Sequence, residues 1–361
     1  MIIREFGFRS FRNLEDTTIS PGPGVNLVLG ENGQGKTNLL EAIWLCTGAR
    51  SFRGAKQAEL PTFGRQSCLL EAGVANKKRE IKLTISLGAE KFTRMNGVDL
   101  PKKADFTGNL ICVAFSPIHL GLVSGGPEGR RNFLDASLCQ SSRKYLDQLT
   151  RYRAYLHHKN ALLRQEIGEK EKNFLLDGYD EKLALYGFAL KETRRQFLEQ
   201  LAEESLLAYE TLSGGKEKLT VKYQPGAKAE NVEELAKELK AARMTDLKNL
   251  SCSRGPHRDD VELLLDDKNA RIYGSQGQRR SIVLALKLSE ASLLERRTGE
   301  SPVILLDDVL SELDNRRQDH LLNRITGRQI FVSACEEQKS GVLAEGKNFY
   351  VKEGRISEKP F

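Results

Sequence analysis

Residues 30–37 read Gly30-Glu31-Asn32-Gly33-Gln34-Gly35-Lys36-Thr37, and no other stretch constrains the fold of this chain as tightly. The pattern G-x-x-x-x-G-K-[ST] is matched in full. It lies between a short, mostly apolar run, Val25 to Leu29, and a stretch from Thr37 to Leu45 whose apolar residues recur at helical spacing. A strand, a glycine-rich turn and a helix in that order let backbone N–H groups curl around phosphates at a helix N-terminus, where negative charge is favoured. In that arrangement Lys36 is expected to neutralise β- and γ-phosphate charge, and Thr37 to offer its hydroxyl to Mg2+.

A second cluster supports the first. Leu305-Leu306-Asp307-Asp308 sets two carboxylates at the carboxyl end of a buried strand, the end at which open α/β sheets present ligand sites. Asp307 is expected to hold Mg2+, directly or through water, and Asp308 to polarise the attacking water. An apolar run ending in Asp-Asp is weakly specific alone; behind a complete phosphate loop it reads as catalytic.

With 361 residues, 39% of them hydrophobic and 29% charged, the chain has material for a real core, as one large domain or two or three ordinary ones. No run of about 18 apolar residues is present, and Met1-Ile2-Ile3-Arg4-Glu5 lacks the basic-then-apolar order of a signal peptide, so a cytoplasmic protein without a membrane span is expected. The six cysteines are scattered singly, with no C-x-x-C pair, and read as reduced.

The secondary-structure pattern divides the chain. Strand signals fill residues 1–30 and 68–115, including an Asn96-Gly97 hairpin signal, whereas Pro127 to Glu210 is helical in texture. Strand and helix patterns then alternate from Val261 to Ser333, with helices expected near 276–296 and 315–325. The expected architecture is a discontinuous α/β core, residues 1–120 and 255–361, split by a mainly helical insertion, residues 121–254, with no long coiled coil.

About thirty residues before the acidic strand lies Gly274-Ser275-Gln276-Gly277-Gln278-Arg279-Arg280, opening an amphipathic helix. It resembles the signature of the ATP-binding-cassette ATPases, which implies that Ser275, Gly277 and Gln278 bind the γ-phosphate held by the opposite subunit. Ser311-Glu312-Leu313-Asp314 matches the loop that crosses the dimer interface in that class, with Ser311 and Asp314 as its polar members. Leu212-Ser213-Gly214-Gly215-Lys216 looks closer to the usual signature by letters, but it lies far from the acidic strand and precedes a strand-like run, so a plain turn explains it. The histidine usual after the final core strand has no counterpart in Val332-Ser333-Ala334. Asp308 stands where most cassette ATPases carry Glu, and its shorter reach implies slow turnover, below the roughly 10 per second of a median enzyme.

Taken with Phe8-Arg9-Ser10-Phe11-Arg12-Asn13-Leu14, Phe115-Ser116-Pro117, Gly129 to Asp135 and Gly255-Pro256-His257-Arg258-Asp259-Asp260, these motifs make nearly the whole chain resemble the RecF family of bacterial recombination-repair ATPases, relatives of the SMC proteins. The resemblance implies a weak, DNA-stimulated ATPase of DNA replication and recombinational repair. Such a protein would use ATP and Mg2+, dimerise on ATP, and bind single- and double-stranded DNA at gaps or junctions. It would work with the RecR and RecO mediators and, indirectly, RecA in the SOS response. It also implies that Arg12 and Asn13 touch the nucleotide. A transporter's nucleotide-binding subunit and a clamp in which ATP only glues the dimer are the competing readings. No counterpart of the coupling Gln is found near Phe115-Ser116-Pro117.

The net charge of +7 is local in origin: from Arg130 to Arg164 eight basic residues face only two acidic ones. Arg130, Arg131, Arg143, Lys144, Arg151 and Arg153 are therefore the candidate contacts to a DNA phosphate backbone, with a solvated helix face as the plain alternative. His257 and Arg258 are expected either to bind phosphate or to pair with Asp259 and Asp260.

Overall fold

The computed structural model describes residues 1–335 and 346–361, which fall into two compact units. The first comprises Met1–Leu120, Ala208–Lys216 and Arg280–Phe361; the second comprises Gly121–Leu207 and Glu217–Arg279.

The first unit is built on a six-stranded sheet in the order Arg355–Ser357, Lys347–Lys352, Val25–Leu29, Ile330–Ala334, Val303–Asp307, Cys112–Phe115. All neighbours are parallel except the edge hairpin, and the four strands from Val25–Leu29 to Cys112–Phe115 are buried along their whole length. That explains their unbroken apolar runs: a strand covered on both faces has no polar side to alternate with. The helices Lys36–Leu45 and Gln276–Thr298 supply largely buried faces. A second, antiparallel sheet runs in the order Thr17–Ile19, Ile2–Arg9, Ser67–Ala75, Glu80–Gly88, Phe92–Met95, Val98–Asp99, with Asn96-Gly97 turning its last hairpin.

One buried side chain joins the two sheets. Gln329, 1% exposed, accepts from the Ile3 N–H (2.7 Å) and donates to the carbonyls of Ile3 (2.8 Å) and Gly22 (2.7 Å).

In the second unit the helices Pro127–Ser141, Arg143–Leu163, Val232–Ala241 and Arg243–Asn249 accompany most of the 45-residue helix Glu169–Ser213. They are joined by a three-stranded sheet, Lys268–Asn269, Asp260–Leu265, Leu219–Gln224. This sheet moves the domain edge away from the expected 254/255. Asp260 to Leu265 pairs residue by residue with Gln224 to Leu219, so residues 255–279 group with the helical unit. No helix among the described residues is long and apolar enough to cross a membrane.

The rejected motif at 212–216 is the end of the long helix. Gly214 and Gly215 both take left-handed φ (71° and 72°), and the Gly215 N–H donates back to the Glu210 carbonyl (2.8 Å), a glycine C-cap.

Replacing Gln329 with Leu removes the side-chain partner of the Ile3 carbonyl and N–H, while the Gly22 carbonyl keeps the Asn26 amide (3.0 Å), and should cost about 2 kcal/mol of stability, read by urea unfolding. Gln329→Glu should recover only part of that loss, because a carboxylate cannot donate.

Candidate nucleotide site

The phosphate loop leaves the carboxyl end of strand Val25–Leu29 and runs into the helix beginning at Lys36. Gly35 has φ 123°, and a Cβ there would fall 2.8 Å from Leu14 Cδ2 and 3.1 Å from Asn13 Oδ1, so only glycine closes the loop. The buried Lys36 ammonium lies over the loop, donating to the carbonyls of Gly30 (2.5 Å) and Glu31 (2.9 Å).

Thr37 Oγ1 donates to Asp307 Oδ1 at 2.8 Å, joining residues 270 positions apart at the carboxyl ends of neighbouring parts of one sheet. Two further hydroxyls converge on the same carboxylate: Ser333 Oγ at 3.1 Å from Oδ1 and Ser116 Oγ at 3.2 Å from Oδ2. Burial pushes the Asp307 carboxyl above its ordinary range, and the three hydroxyls oppose that shift. A hydroxyl and a carboxylate side by side are the hard oxygen donors that Mg2+ takes when substrate phosphates and water fill its other positions. Thr37 and Asp307 therefore fit that ion.

Asp308 is held apart from its neighbour. Its φ is 54°, its N–H donates to Ser333 Oγ (2.8 Å), and Ser311 Oγ lies 3.1 Å from its carbonyl and 3.2 Å from its Oδ1. Ser333 thus touches both members of the acidic pair, and Ser116 sits at the end of strand Cys112–Phe115. Ser116 lies in the Phe115-Ser116-Pro117 motif and Ser333 in Val332-Ser333-Ala334, but the sequence assigns neither hydroxyl a role, since a serine after an apolar strand has no distinctive spacing. Cys335 follows Ala334 with its Sγ 3.8 Å from Lys36 Nζ and 3.3 Å from Asn32 Oδ1.

Arg12 and Asn13 reach the loop and its helix in different ways. The Arg12 guanidinium donates to Glu41 on helix Lys36–Leu45 (3.1 and 3.2 Å) and to the Glu59 carbonyl (3.0 Å). Glu41 is fully buried and also faces Arg53 at 3.7 Å and the Ser51 hydroxyl, a cluster unforeseen in the sequence. The Asn13 amide donates to the carbonyls of Gln34 (3.3 Å) and Gly33 (3.5 Å), holding the loop from outside.

Asp314 caps helix Asn315–Ile325, accepting from the Arg317 N–H at 3.0 Å. That bond, together with the Arg317 guanidinium, holds its carboxyl below the usual range.

In the second unit Ser275 and Gln278 form a capping box at the start of helix Gln276–Thr298. Ser275 N–H donates to Gln278 Oε1 (2.6 Å) and Gln278 N–H to Ser275 Oγ (3.2 Å). Ser275 is exposed and Gly277 half-buried at that helix end, and Gln278 also donates to Glu217 (2.6 Å).

The structure corrects the proposed DNA footprint. Arg130, buried, is committed to Asp260 (2.6 and 3.0 Å) and to the carbonyls of Leu122 and Gly125. Arg131 donates to the Asp259 carbonyl (2.7 Å), and Arg153 to Asp135 (2.9 Å). Arg130 and Arg131 serve internal acceptors, whereas Arg153 pairs with Asp135 while keeping 42% of its side chain exposed. Arg143, Lys144 and Arg151 are exposed, Arg151 pairing with Asp147 one turn away.

His257 follows neither expectation. Its Nε2 donates to the Cys252 carbonyl (2.9 Å), so Nδ1 accepts from the Tyr152 hydroxyl (2.6 Å), while Asp259 pairs with Arg194 and Asp260 with Arg130. Burial lowers the imidazole from 6.5 to about 4.

Comparison with known proteins places these features. The family described as AAA domain matches residues 4–249. The DNA replication and repair protein RecF of Acetivibrio thermocellus is 34% identical over 358 residues, covering 97% of this chain and 96% of that protein. RecF of Agathobacter rectalis is 36% identical over 360 residues, covering 99% of each. The solved structure of the recombination mediator protein RecF-ATP in the RecFOR pathway superposes with TM-score 0.89 at 35% identity, covering 98% of this chain and 96% of that one. An Smc head bound to the C-winged helix domain of ScpA, at 15% identity and TM-score 0.54, covers 99% of this chain and 98% of its own and shares the fold alone.

Two outcomes follow from the internal ion pairs and the buried imidazole. Arg130→Ala removes the buried guanidinium that serves Asp260 and the Leu122 and Gly125 carbonyls, and should destabilise the chain by about 2 kcal/mol in urea unfolding. His257 has a folded value below its unfolded one, so it adds stability above pH 6.5 that is lost as pH falls towards 4. Unfolding free energy should therefore fall between those pH values in the wild type and fall less steeply in His257→Gln.

Proposed function

The chain belongs to the RecF family of DNA replication and repair proteins, and on that premise we propose that it is an ATP-dependent DNA-binding protein. It dimerises on ATP at gapped DNA or single-strand–double-strand junctions and hydrolyses ATP slowly to time its release. The observation that carries this reading is the 2.8 Å bond between Thr37 and Asp307, which joins a complete phosphate loop to an acidic strand end.

In this reading the N–H groups of the loop residues Gly30, Glu31, Asn32, Gly33, Gln34, Gly35, Lys36 and Thr37, with the Lys36 ammonium, hold the phosphates of ATP. Thr37 and Asp307 would hold Mg2+, whose chemistry there would be to neutralise negative charge on those phosphates. Asp308 accepts a hydrogen bond from the attacking water and orients it. Ser333 sets the direction of that carboxylate by fixing the Asp308 N–H, and Ser116 braces Asp307. Arg12 and Asn13 act through Glu41 and the loop carbonyls, shaping the site from its flank. Ser275, Gly277 and Gln278 cap the nucleotide of a second copy from an exposed helix start, which suits an anion, and Ser311 and Asp314 belong to the crossing loop.

The DNA contacts narrow to the exposed cations of helix Arg143–Leu163, namely Arg143, Lys144, Arg151 and Arg153, acting on phosphates without regard to sequence. RecR and RecO, with RecA beyond them, are the expected partners in a cytoplasmic repair pathway. The RecFOR pathway named for the ATP-bound relative supports that placement.

Sedimentation mass in the presence of a gapped duplex is the test. ATP should double the mass of the wild-type protein, and Lys36→Ala should remain monomeric. Asp308→Asn should lower hydrolysis at least about 100-fold and stay on the duplex long after wild type has left. If Asp308→Asn leaves DNA at the wild-type rate, ATP merely glues the dimer and the timer is wrong.

A further inference from the structure

The chain ends in a hairpin that no motif marked. Strand Lys347–Lys352 lies beside the phosphate-loop strand in parallel register, Lys347 opposite Asn26 through Tyr350 opposite Leu29, and then continues beyond it. Its turn, Glu353 and Gly354, therefore arrives beside the loop itself before strand Arg355–Ser357 folds back.

The contacts at that point are all to one loop residue and its flank. The Gly354 N–H donates to the Gln34 carbonyl at 3.0 Å, and the Glu353 N–H donates to Gln34 Oε1. The Gly354 carbonyl accepts from the Glu15 N–H at 3.0 Å, tying the turn to the segment that carries Asn13. Gly354 has φ 85°, and a Cβ there would sit 1.9 Å from the Asn13 carbonyl oxygen, so this approach is open to glycine alone.

The geometry of the peptide bond turns this outer contact into an inner one. In a trans peptide the C=O and the following N–H point in opposite directions. Fixing the Gln34 carbonyl toward the hairpin therefore fixes the Gly35 N–H away from it. The Asn13 amide is a second donor to the Gln34 carbonyl (3.3 Å), and by also reaching the Gly33 carbonyl (3.5 Å) it orients the Gln34 N–H of the preceding peptide. These N–H groups are what such a loop offers a phosphate.

We propose that the Glu353–Gly354 turn is a positioning element of the nucleotide site, a strap that sets the orientation of the Gly35 N–H through Gln34 and so governs nucleotide affinity. This rests on the reading of Gly30–Thr37 as the ATP site. The C-terminal hairpin then acts on ligand binding from outside the phosphate loop, without touching the ligand.

The test uses three variants of the full chain, measured for ATP affinity by titration calorimetry and for amide hydrogen exchange over residues 30–37 without nucleotide. Gly354→Ala forces the turn away from Asn13. Gln34→Ala removes the acceptor for Glu353 while keeping every loop N–H. Gly327→Ala is the control: its φ of 83° imposes the same backbone strain, but a Cβ there meets nothing within 4 Å. Losing one or two such hydrogen bonds should weaken ATP binding about tenfold in Gly354→Ala and about threefold in Gln34→Ala. Exchange over residues 30–37 should quicken in both, and the loss should appear in KM for ATP more than in kcat. Gly327→Ala should match wild type in affinity and exchange. Should Gly354→Ala fail to fold, Gln34→Ala decides by the same measurements. Wild-type affinity and exchange in the folded variants, or an equal loss in the control, would overturn the strap. Failure of the wild-type chain to bind ATP would instead overturn the assignment of the site.

Discussion

Everything in the first unit converges on the contact between Thr37 and Asp307. One group opens a helix and the other closes a strand 270 residues later, and only a parallel sheet can bring them level. Val25–Leu29 and Val303–Asp307 are each paired with Ile330–Ala334, so the register of that middle strand decides whether hydroxyl and carboxylate meet. A one-residue slip in either pairing would turn the reacting side chains to the opposite face. The Gln329 clamp stands at the far end of the same strand, where it ties that register to the antiparallel sheet.

The second unit handles charge differently. It buries Arg194 at 3% exposure against Asp135 and Asp259, and buries Lys159 against Asp246 at 2.9 Å. Such pairs recover the desolvation they cost only when their donors and acceptors are matched, and around Arg194 the Tyr145 hydroxyl and the Pro256 carbonyl accept from the guanidinium while Tyr223 donates to Asp259. A basic stretch of sequence is therefore two populations in space, cations that hold the fold and cations that face solvent.

Local chemistry was legible and long-range partnership was not. The phosphate loop, the Asp307–Asp308 strand end, the Asn96-Gly97 hairpin and the helix Asn315–Ile325 all follow from patterns within about a dozen residues. Arg130 and Arg131 carry no mark that distinguishes a structural cation from a binding one, because the Asp260 carboxylate and the Asp259 carbonyl become partners only through tertiary packing. The domain edge was misread for the same reason: Leu219–Gln224 reads as a strand, but nothing in it says that Asp260–Leu265 is its mate. The roles of Ser116 and Ser333 were not legible, although Ser116 lies in a recognised motif, because a serine gains meaning only from the carboxylate it meets. The Glu353–Gly354 turn lacked the Asn-Gly or Asp-Gly signal that makes short hairpins readable.

The left-handed backbone at Asp308 bears on how its identity is understood. Most side chains lose roughly 1–2 kcal/mol in that conformation, whereas Asp and Asn tolerate it through local hydrogen bonding. At φ 54° the position favours a short acid before any question of catalysis arises. The slow hydrolysis proposed for this chain would then follow from a bend in the backbone, and a longer acid at this position would first require the bend to straighten.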